Sequence, residues 1–177
     1  MQLLDKLNEQ AKNIKLIIFD VDGVLTDGGL YFSDEGVELK RFNSLDGLGI
    51  KLLKQNGIEV AVISARSSKN ITYRMNDLGI EHFYQGQDDK VVAFNNLIKK
   101  LSLQTKQVAY MGDDIIDLPI MRKISLPIAV ANAHELVKKN ACFITKKIGG
   151  HGAVREVCDL LLKAQNTFNK AMRKYLI

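Results

Sequence analysis

The chain has 177 residues, 46% hydrophobic and 25% charged, the proportions of an ordinary folded protein rather than a disordered or fibrous one. At about 150 residues per domain that length predicts one domain, which buries about 70% of its unfolded surface and needs no disulfide or structural metal. The net charge is +5, but the lysine excess falls at helix ends and in the C-terminal segment rather than on one aromatic-interleaved stripe, so no nucleic-acid partner is expected.

Met1 to Lys15 carries acidic and amide residues where a signal peptide needs an apolar core. No run of about 18 uncharged apolar residues occurs, so no membrane partner and a cytoplasmic location are expected. Leu16–Phe19 reads as a buried strand. Leu30–Phe42 has two β-rich arms around Asp34-Glu35-Gly36, an antiparallel hairpin that should project over the end of that strand. Two periods then alternate. Helical spacing runs over Leu48–Asn56, Ile71–Leu78, Val91–Leu101, Ile116–Ile124, His134–Lys139 and Val154–Phe168. Short apolar runs fall between them at Val60–Ile63, His82–Tyr84, Val108–Met111, Ile128–Val130 and Phe143–Ile144. Gly79 stands where the second helical segment needs a left-handed stop. Strand–helix alternation at this rhythm predicts parallel strands joined by crossovers, an α/β fold with a doubly wound parallel sheet. One domain over 1–177 is expected, with a hairpin flap at about 28–42 and a C-terminal helix and tail at about 153–177.

In such a sheet ligands collect beyond the carboxyl ends of the strands. Leu16–Phe19 is followed by Asp20-Val21-Asp22-Gly23, Val60–Ile63 by Ser64-Ala65-Arg66, His82–Tyr84 by a loop ending at Lys90, and Val108–Met111 by Gly112-Asp113-Asp114 and then Asp117. Each piece alone is an ordinary turn or helix cap. In this order, each at a strand end, they make a site. Two carboxylates about 4 Å apart repel by about 4 kcal/mol at an effective dielectric near ~20, so Asp20, Asp22, Asp113 and Asp114 need a cation besides Lys90. An all-oxygen ligand set suits a hard ion such as Mg²⁺, with Asp20, Asp22 and Asp113 as its ligands and Asp114 and Asp117 behind them. Thiol and imidazole ligands are absent from the set, which argues against zinc. An Asp, a second Asp two residues on, a hydroxyl, a lysine and a metal suit phosphoryl transfer to a carboxylate. Asp20 would attack phosphorus, Asp22 would protonate the leaving oxygen and then deprotonate water, and Ser64 and Lys90 would neutralise phosphoryl charge.

These motifs resemble the four ordered motifs of the haloacid dehalogenase superfamily, in which the second acid marks phosphatases. The resemblance implies a Rossmann-like fold. The segments between Asp20 and Ser64 and between Ser64 and Lys90 leave no room for a cap domain. Thr26-Asp27-Gly28-Gly29, the hairpin, the run Phe42-Asn43 to Gly49-Ile50-Lys51, Ser64-x-Arg66 and Gly149-Gly150 to Arg155-Glu156 further resemble the family of octulosonate 8-phosphate phosphatases. That resemblance implies release of phosphate from a small phosphorylated sugar acid in lipopolysaccharide synthesis, and a homotetramer. It also implies substrate contact at Asp22, Asn43, Ser44, Leu45, Asp46, Gly47, Lys51, Arg66, Arg74 and Lys90. A guanidinium such as Arg66 grips a carboxylate bidentately, as a sugar acid requires. Arg74 reads equally as a surface helix residue, and the Gly149–Gly152 loop either as a close approach to phosphate or a neighbouring chain, or as a flexible lead into the last helix.

Two positions depart from the family pattern: Leu45 stands where an arginine is usual, and Ala65 where a glycine is usual. Relatives acting on nonulosonate 9-phosphates often carry Glu in place of Arg66, so Arg66 favours the octulosonate; a nonulosonate or generalist sugar phosphatase is the alternative. A phosphorylatable receiver-type signalling domain also gathers acids, a hydroxyl and a lysine at strand ends, but it is shorter and lacks Asp-x-Asp and Gly-Asp-Asp.

Overall fold

The computed structural model describes residues 2–176. The helix α1 (Gln2–Lys12) leads into the central strand β1 (Leu16–Phe19). The hairpin β2 (Tyr31–Phe32) and β3 (Glu38–Leu39) follows, pairing Tyr31 with Leu39 and Phe32 with Glu38. Beyond it come α2 (Ser44–Gln55), β4 (Glu59–Ile63), α3 (Lys69–Leu78), β5 (His82–Tyr84), α4 (Lys90–Lys100) and β6 (Val108–Gly112). The chain finishes with α5 (Leu118–Met121), β7 (Leu126–Ala129), α6 (Glu135–Lys139), β8 (Phe143–Ile144), α7 (Ala153–Ala164) and α8 (Phe168–Met172).

Six strands form one parallel sheet in the order β5-β4-β1-β6-β7-β8. All four residues of β1 are buried, as expected for a strand covered on both faces, and this is why it reads as a continuous apolar run. The chain steps outward from β1 through β4 to β5, then returns to β6 on the other side and steps outward again. With right-handed crossovers, that reversal puts α2 and α3 on one face and α4 and α5 on the other. It also makes β1 and its neighbours the switch point where an α/β sheet opens a crevice. Register finishes the work: Phe19 lies beside both Val62 and Met111, so the residues after β1, β4 and β6 emerge together. One hydrophobic core runs from Leu7 to Ala171. Among the described residues, no helix is long and apolar enough to cross a membrane.

Three expectations change. The first helix α1 escapes notice in the sequence because only a thin apolar stripe, with Leu7 and Ala11 buried, holds it to the core. Ile116–Ile124 is a 3₁₀ turn (Ile115–Asp117) running into the short α5, because the Asp114 and Asp117 carboxylates cap one another's backbone there. Val154–Phe168 is two helices, broken at Asn166, whose φ of +57° lies in the left-handed region that asparagine tolerates. The preceding Gln165 donates to the carbonyls of Ala11 and Ile14 and anchors the break to the end of α1.

Candidate active site

After β1 the chain makes one wide turn, Val21–Leu25, closed by Thr26 N donating to Val21 O at 3.0 Å. The buried Thr26 hydroxyl accepts from Gly23 N and Gly28 N and donates to Val21 O, so a side chain braces the turn from within. Gly23 sits at φ +90°, and a Cβ there would run into the Asp113 carboxylate. Glycine is therefore what lets the loop after β1 and the loop after β6 touch.

At their contact lies a buried charge cluster. Lys90, the first residue of α4 and 3% exposed, donates to Asp20 Oδ1 and to Asp117 Oδ1, both at 2.7 Å. Tyr110 of β6 donates its hydroxyl to the same Asp117 oxygen at 2.7 Å. The other Asp117 oxygen accepts from Asp113 N at 3.0 Å and Asp114 N at 3.3 Å. Asp117 is thus saturated by four donors and serves as the rivet of the loop after β6. Asp114 is exposed and caps the 3₁₀ turn through Ile115 N. Ser64, 1% exposed, accepts from Arg66 N at 3.2 Å and lies within hydrogen-bond distance of Arg66 O at 3.1 Å.

One oxygen each of Asp20, Asp113 and Asp117 falls within 4.8 Å of the others. Lys90, paired with Asp20 and Asp117, is the one ammonium in contact with this group among the described residues. Burial, and then Asp117, push the Asp20 carboxyl up to about 7 against the pull of Lys90. Burial, and then Asp20, push Asp113 up to about 8. Burial would pull the Lys90 ammonium down, but its two carboxylate partners reverse the sign and hold it above its ordinary value. These shifts are compatible, because Lys90 faces two carboxylates while Asp20 faces one ammonium and a competing carboxylate. Burial with its two acidic neighbours likewise drives the Tyr110 phenol well above its ordinary value.

Asp113 Oδ1 is buried without any hydrogen-bond partner. Such an orphaned acceptor next to Asp20 suits a hard cation. Asp117 does not, since its oxygens are already taken. The fit is therefore to Asp20 and Asp113. Asp22, expected as a third ligand, turns elsewhere: its Oδ1 accepts from Lys40, beyond the hairpin's second arm, and its Oδ2 is 4.0 Å from Arg66 Nε. The hairpin supplies a cation that competes for this carboxylate.

A pocket of about 140 Å³ lies between Asp20, Asp22, Ser64, Ala65, Arg66, Asp113, Asp114 and Ile116. A larger cleft of about 560 Å³ lies at the opposite ends of the strands, among Lys12, Lys15, Lys106 and Gln165, away from every motif described.

The remaining expected contact residues form a second group at the start of α2, outside this pocket. Asn43 caps α2 by accepting from Leu45 N at 2.8 Å and donates to Gly150 O at 3.2 Å. Ser44 and Leu45 are exposed. Arg74 donates to Asn43 O at 3.3 Å and to Asp77 at 2.7 Å, and its guanidinium sits 5.8 Å from the Phe42 ring centroid. Gly47 makes room for it, since a Cβ there would meet that guanidinium. Lys51 lies inside α2, and its Nζ is 3.9 Å from the exposed Asp77. Asp46 is the clear correction: only 1% exposed, its carboxylate accepts from Arg155 N at 2.8 Å and Gly152 N at 3.4 Å, capping α7 from a neighbouring helix. Burial raises its carboxyl in spite of those bonds. In the Gly149–Gly152 loop, Gly149 and Gly150 are buried and pack on the backbone of Gly23 and Thr26–Asp27, which ties α7 to the loop of Asp20.

Sequence reasoning missed Lys40 and Tyr110. A tyrosine inside a fully buried strand needs a partner for its hydroxyl, and that was the available signal. Lys40 gave none, since lysine beside a hairpin strand is ordinarily solvated.

The fold and this charge cluster agree with the class that the chain's own profile defines: residues 82–157 match the family described as haloacid dehalogenase-like hydrolase. The chain is 51% identical over 162 residues, 92% of it and 86% of the relative, to the 3-deoxy-D-manno-octulosonate 8-phosphate phosphatase KdsC of Escherichia coli strain K12. It is 50% identical over 167 residues, 94% of it and 89% of the relative, to the same phosphatase of Yersinia pestis. Among solved structures, the phosphatase of Moraxella catarrhalis in complex with magnesium ion, phosphate ion and KDO superposes with a TM-score of 0.95 at 45% identity, covering 97% of this chain and 99% of that one. The chain belongs to the 3-deoxy-D-manno-octulosonate 8-phosphate phosphatase family.

Proposed function

We propose that the protein hydrolyses 3-deoxy-D-manno-octulosonate 8-phosphate to the free sugar acid and phosphate, using Mg²⁺ held by Asp20 and Asp113. The observation that carries this reading is three clustered carboxylates, of which Asp20 and Asp117 share one buried ammonium and Asp113 keeps an unpartnered oxygen, beside Ser64 and Arg66. Bound there, Mg²⁺ supplies a Lewis acid that neutralises phosphoryl charge.

Asp20 Oδ1 is held by Lys90, which leaves Oδ2 to attack phosphorus. As the Asp20–phosphorus bond forms, the bond to the sugar oxygen breaks with its electron pair, and Asp22 delivers a proton to that oxygen. Water then attacks the aspartyl phosphate, Asp22 takes its proton, and phosphate leaves with Asp20 restored. The Ser64 hydroxyl stands at the pocket to bind a phosphoryl oxygen, and the Lys90 ammonium, just behind the lining, holds Asp20 and adds its positive charge. At about 140 Å³ the pocket is well below the ~300–1,000 Å³ usual for small-molecule sites, so it takes the phosphoryl end while the sugar extends over Arg66. Arg66 pairs with the substrate carboxylate there.

The rest of the sugar needs another wall. Leu30, Phe32, Val37 and Leu39 of the hairpin are each more than half exposed, Leu30 and Phe32 on one side of the ribbon and Val37 and Leu39 on the other, and this apolar surface supports self-association. We therefore read the working form as a cytoplasmic homotetramer whose hairpins meet and whose subunits help enclose neighbouring sites. The test is phosphate release from octulosonate 8-phosphate, a nonulosonate 9-phosphate and arabinose 5-phosphate, with Mg²⁺ and with chelator. Octulosonate 8-phosphate should be turned over fastest, and only with the metal. Equal slow turnover of all three would defeat the substrate assignment, and turnover in chelator would defeat the metal.

A further inference from the structure

Lys40 has no part in the scheme above, yet its side chain is 1% exposed. Burying an ammonium costs several kcal/mol unless it is paired, so a hairpin lysine folded inward calls for a reason. Its Nζ donates to Asp22 Oδ1 and lies 3.4 Å from Glu38 Oε1. Arg66 Nη2 donates to that same Glu38 oxygen at 2.8 Å, and Arg66 Nε lies 4.0 Å from Asp22 Oδ2. Asp22, Lys40, Glu38 and Arg66 thus alternate in charge around a ring. Asn70 of α3 donates to Glu38 O at 2.7 Å and pins the hairpin side of the ring to the body of the domain.

Within that ring Asp22 depends on one donor. Among the described residues neither a backbone N–H nor a hydroxyl reaches its carboxylate; Lys40 holds Oδ1, and Oδ2, itself buried, has no hydrogen-bond partner. Asp22 also sits where the turn leaves helical geometry, at ψ 115°, so the local backbone offers no capping bond to fix its side chain. We infer that Lys40 is the positioning residue of Asp22: the hairpin ammonium fixes the carboxyl by one oxygen and leaves the other free for proton exchange with the leaving oxygen and then with water. Lys40 does not line the pocket and acts only through Asp22. This inference rests on the proposed phosphatase reaction and its assignment of Asp22.

The two are separated by comparing kcat/KM for octulosonate 8-phosphate and 4-nitrophenyl phosphate on one preparation each of the wild type, Lys40→Met, Lys40→Arg and Asp22→Asn. This constant covers the steps through departure of the alcohol. The sugar alkoxide must be protonated as it leaves, and nitrophenolate need not be. A positioned general acid contributes about 10²–10⁴-fold, so Lys40→Met should lower the sugar phosphate by about 10²-fold and the aryl phosphate by at least ~10-fold less. The ratio of the two substrates does not depend on how much of the preparation is folded. Lys40→Arg, which keeps a cation, should recover most of the ratio. Equal losses on both substrates in Lys40→Met, or no loss on either, would overturn the role of Lys40 alone. A wild type inert toward octulosonate 8-phosphate, or an Asp22→Asn ratio equal to that of the wild type, would overturn the reaction reading and the Lys40 role with it.

Discussion

Replacing Lys90 with methionine tests whether the buried ammonium serves stability as well as chemistry. The substitution keeps the side chain's length and apolar stem but strips the charge from two contacts of 2.7 Å at a side chain only 2% exposed. Breaking a buried pair by removing one partner costs about 3–5 kcal/mol. Asp20 relieves its share by taking up a proton, since its carboxyl already stands at about 7. Asp117 keeps Tyr110 and two backbone donors. The cost should therefore fall at the lower end, about 3 kcal/mol. At ~2–4 °C per kcal/mol for a chain of this size, Tm should drop by about 6–12 °C. Differential scanning calorimetry in chelator measures this directly. Adding Asp117→Asn removes the stranded charge and should return at least half of the loss, while phosphate release with Mg²⁺ stays absent in both variants. A single variant that melts with the wild type, or a double variant less stable than the single, would refute the account.

Three further outcomes follow from the same geometry. Asp20 and Asp113 keep their protons to about 7 and about 8 when folded, against 3.8 ordinarily, so the metal-free folded state binds more protons across that window. Its stability should fall as pH rises from about 4 to 8, by at most ~1.4 kcal/mol per pH unit for each carboxyl, and thermal melts should show Mg²⁺ flattening the slope. Gly23→Ala combines strain at φ +90° with a clash against the Asp113 carboxylate, and should reduce kcat/KM by about 10²-fold through the displaced loop, checked by phosphate release and by weaker Mg²⁺ binding in calorimetry. Asp46→Ala removes the cap on α7 and should cost about 1–2 kcal/mol in urea denaturation with KM nearly unchanged; a large rise in KM would restore Asp46 to the substrate.

Much of this arrangement was legible in the sequence because strand ends are easy to find. Each of β1, β4 and β6 is an apolar run that stops at a polar residue, and in a doubly wound sheet that boundary is where chemistry gathers. Asp20, Ser64 and Asp113 could be named from that rule alone, while Lys90 lies at the start of α4, a loop beyond β5. The rule says nothing about which way a side chain turns once it leaves the strand. Asp22 and Asp46 look alike in the sequence, both short acids beside a glycine in a turn. One faces a hairpin lysine beside the pocket, and the other is turned inward to cap a helix more than a hundred residues away.

The sequence by itself determined the strand-and-helix rhythm, hence the parallel sheet, and the set of carboxylates, hydroxyl and cations brought to one edge of it. Period and residue type are local properties, and the chain states them directly. The tertiary structure alone decided the partnerships: Lys90 between Asp20 and Asp117, Tyr110 on Asp117, Lys40 on Asp22, and Gly149 and Gly150 against the first loop. A buried charge or an unfilled donor is satisfied by whichever group the fold brings within about 3 Å, and that distance is set by packing across the whole domain rather than by neighbours in the chain.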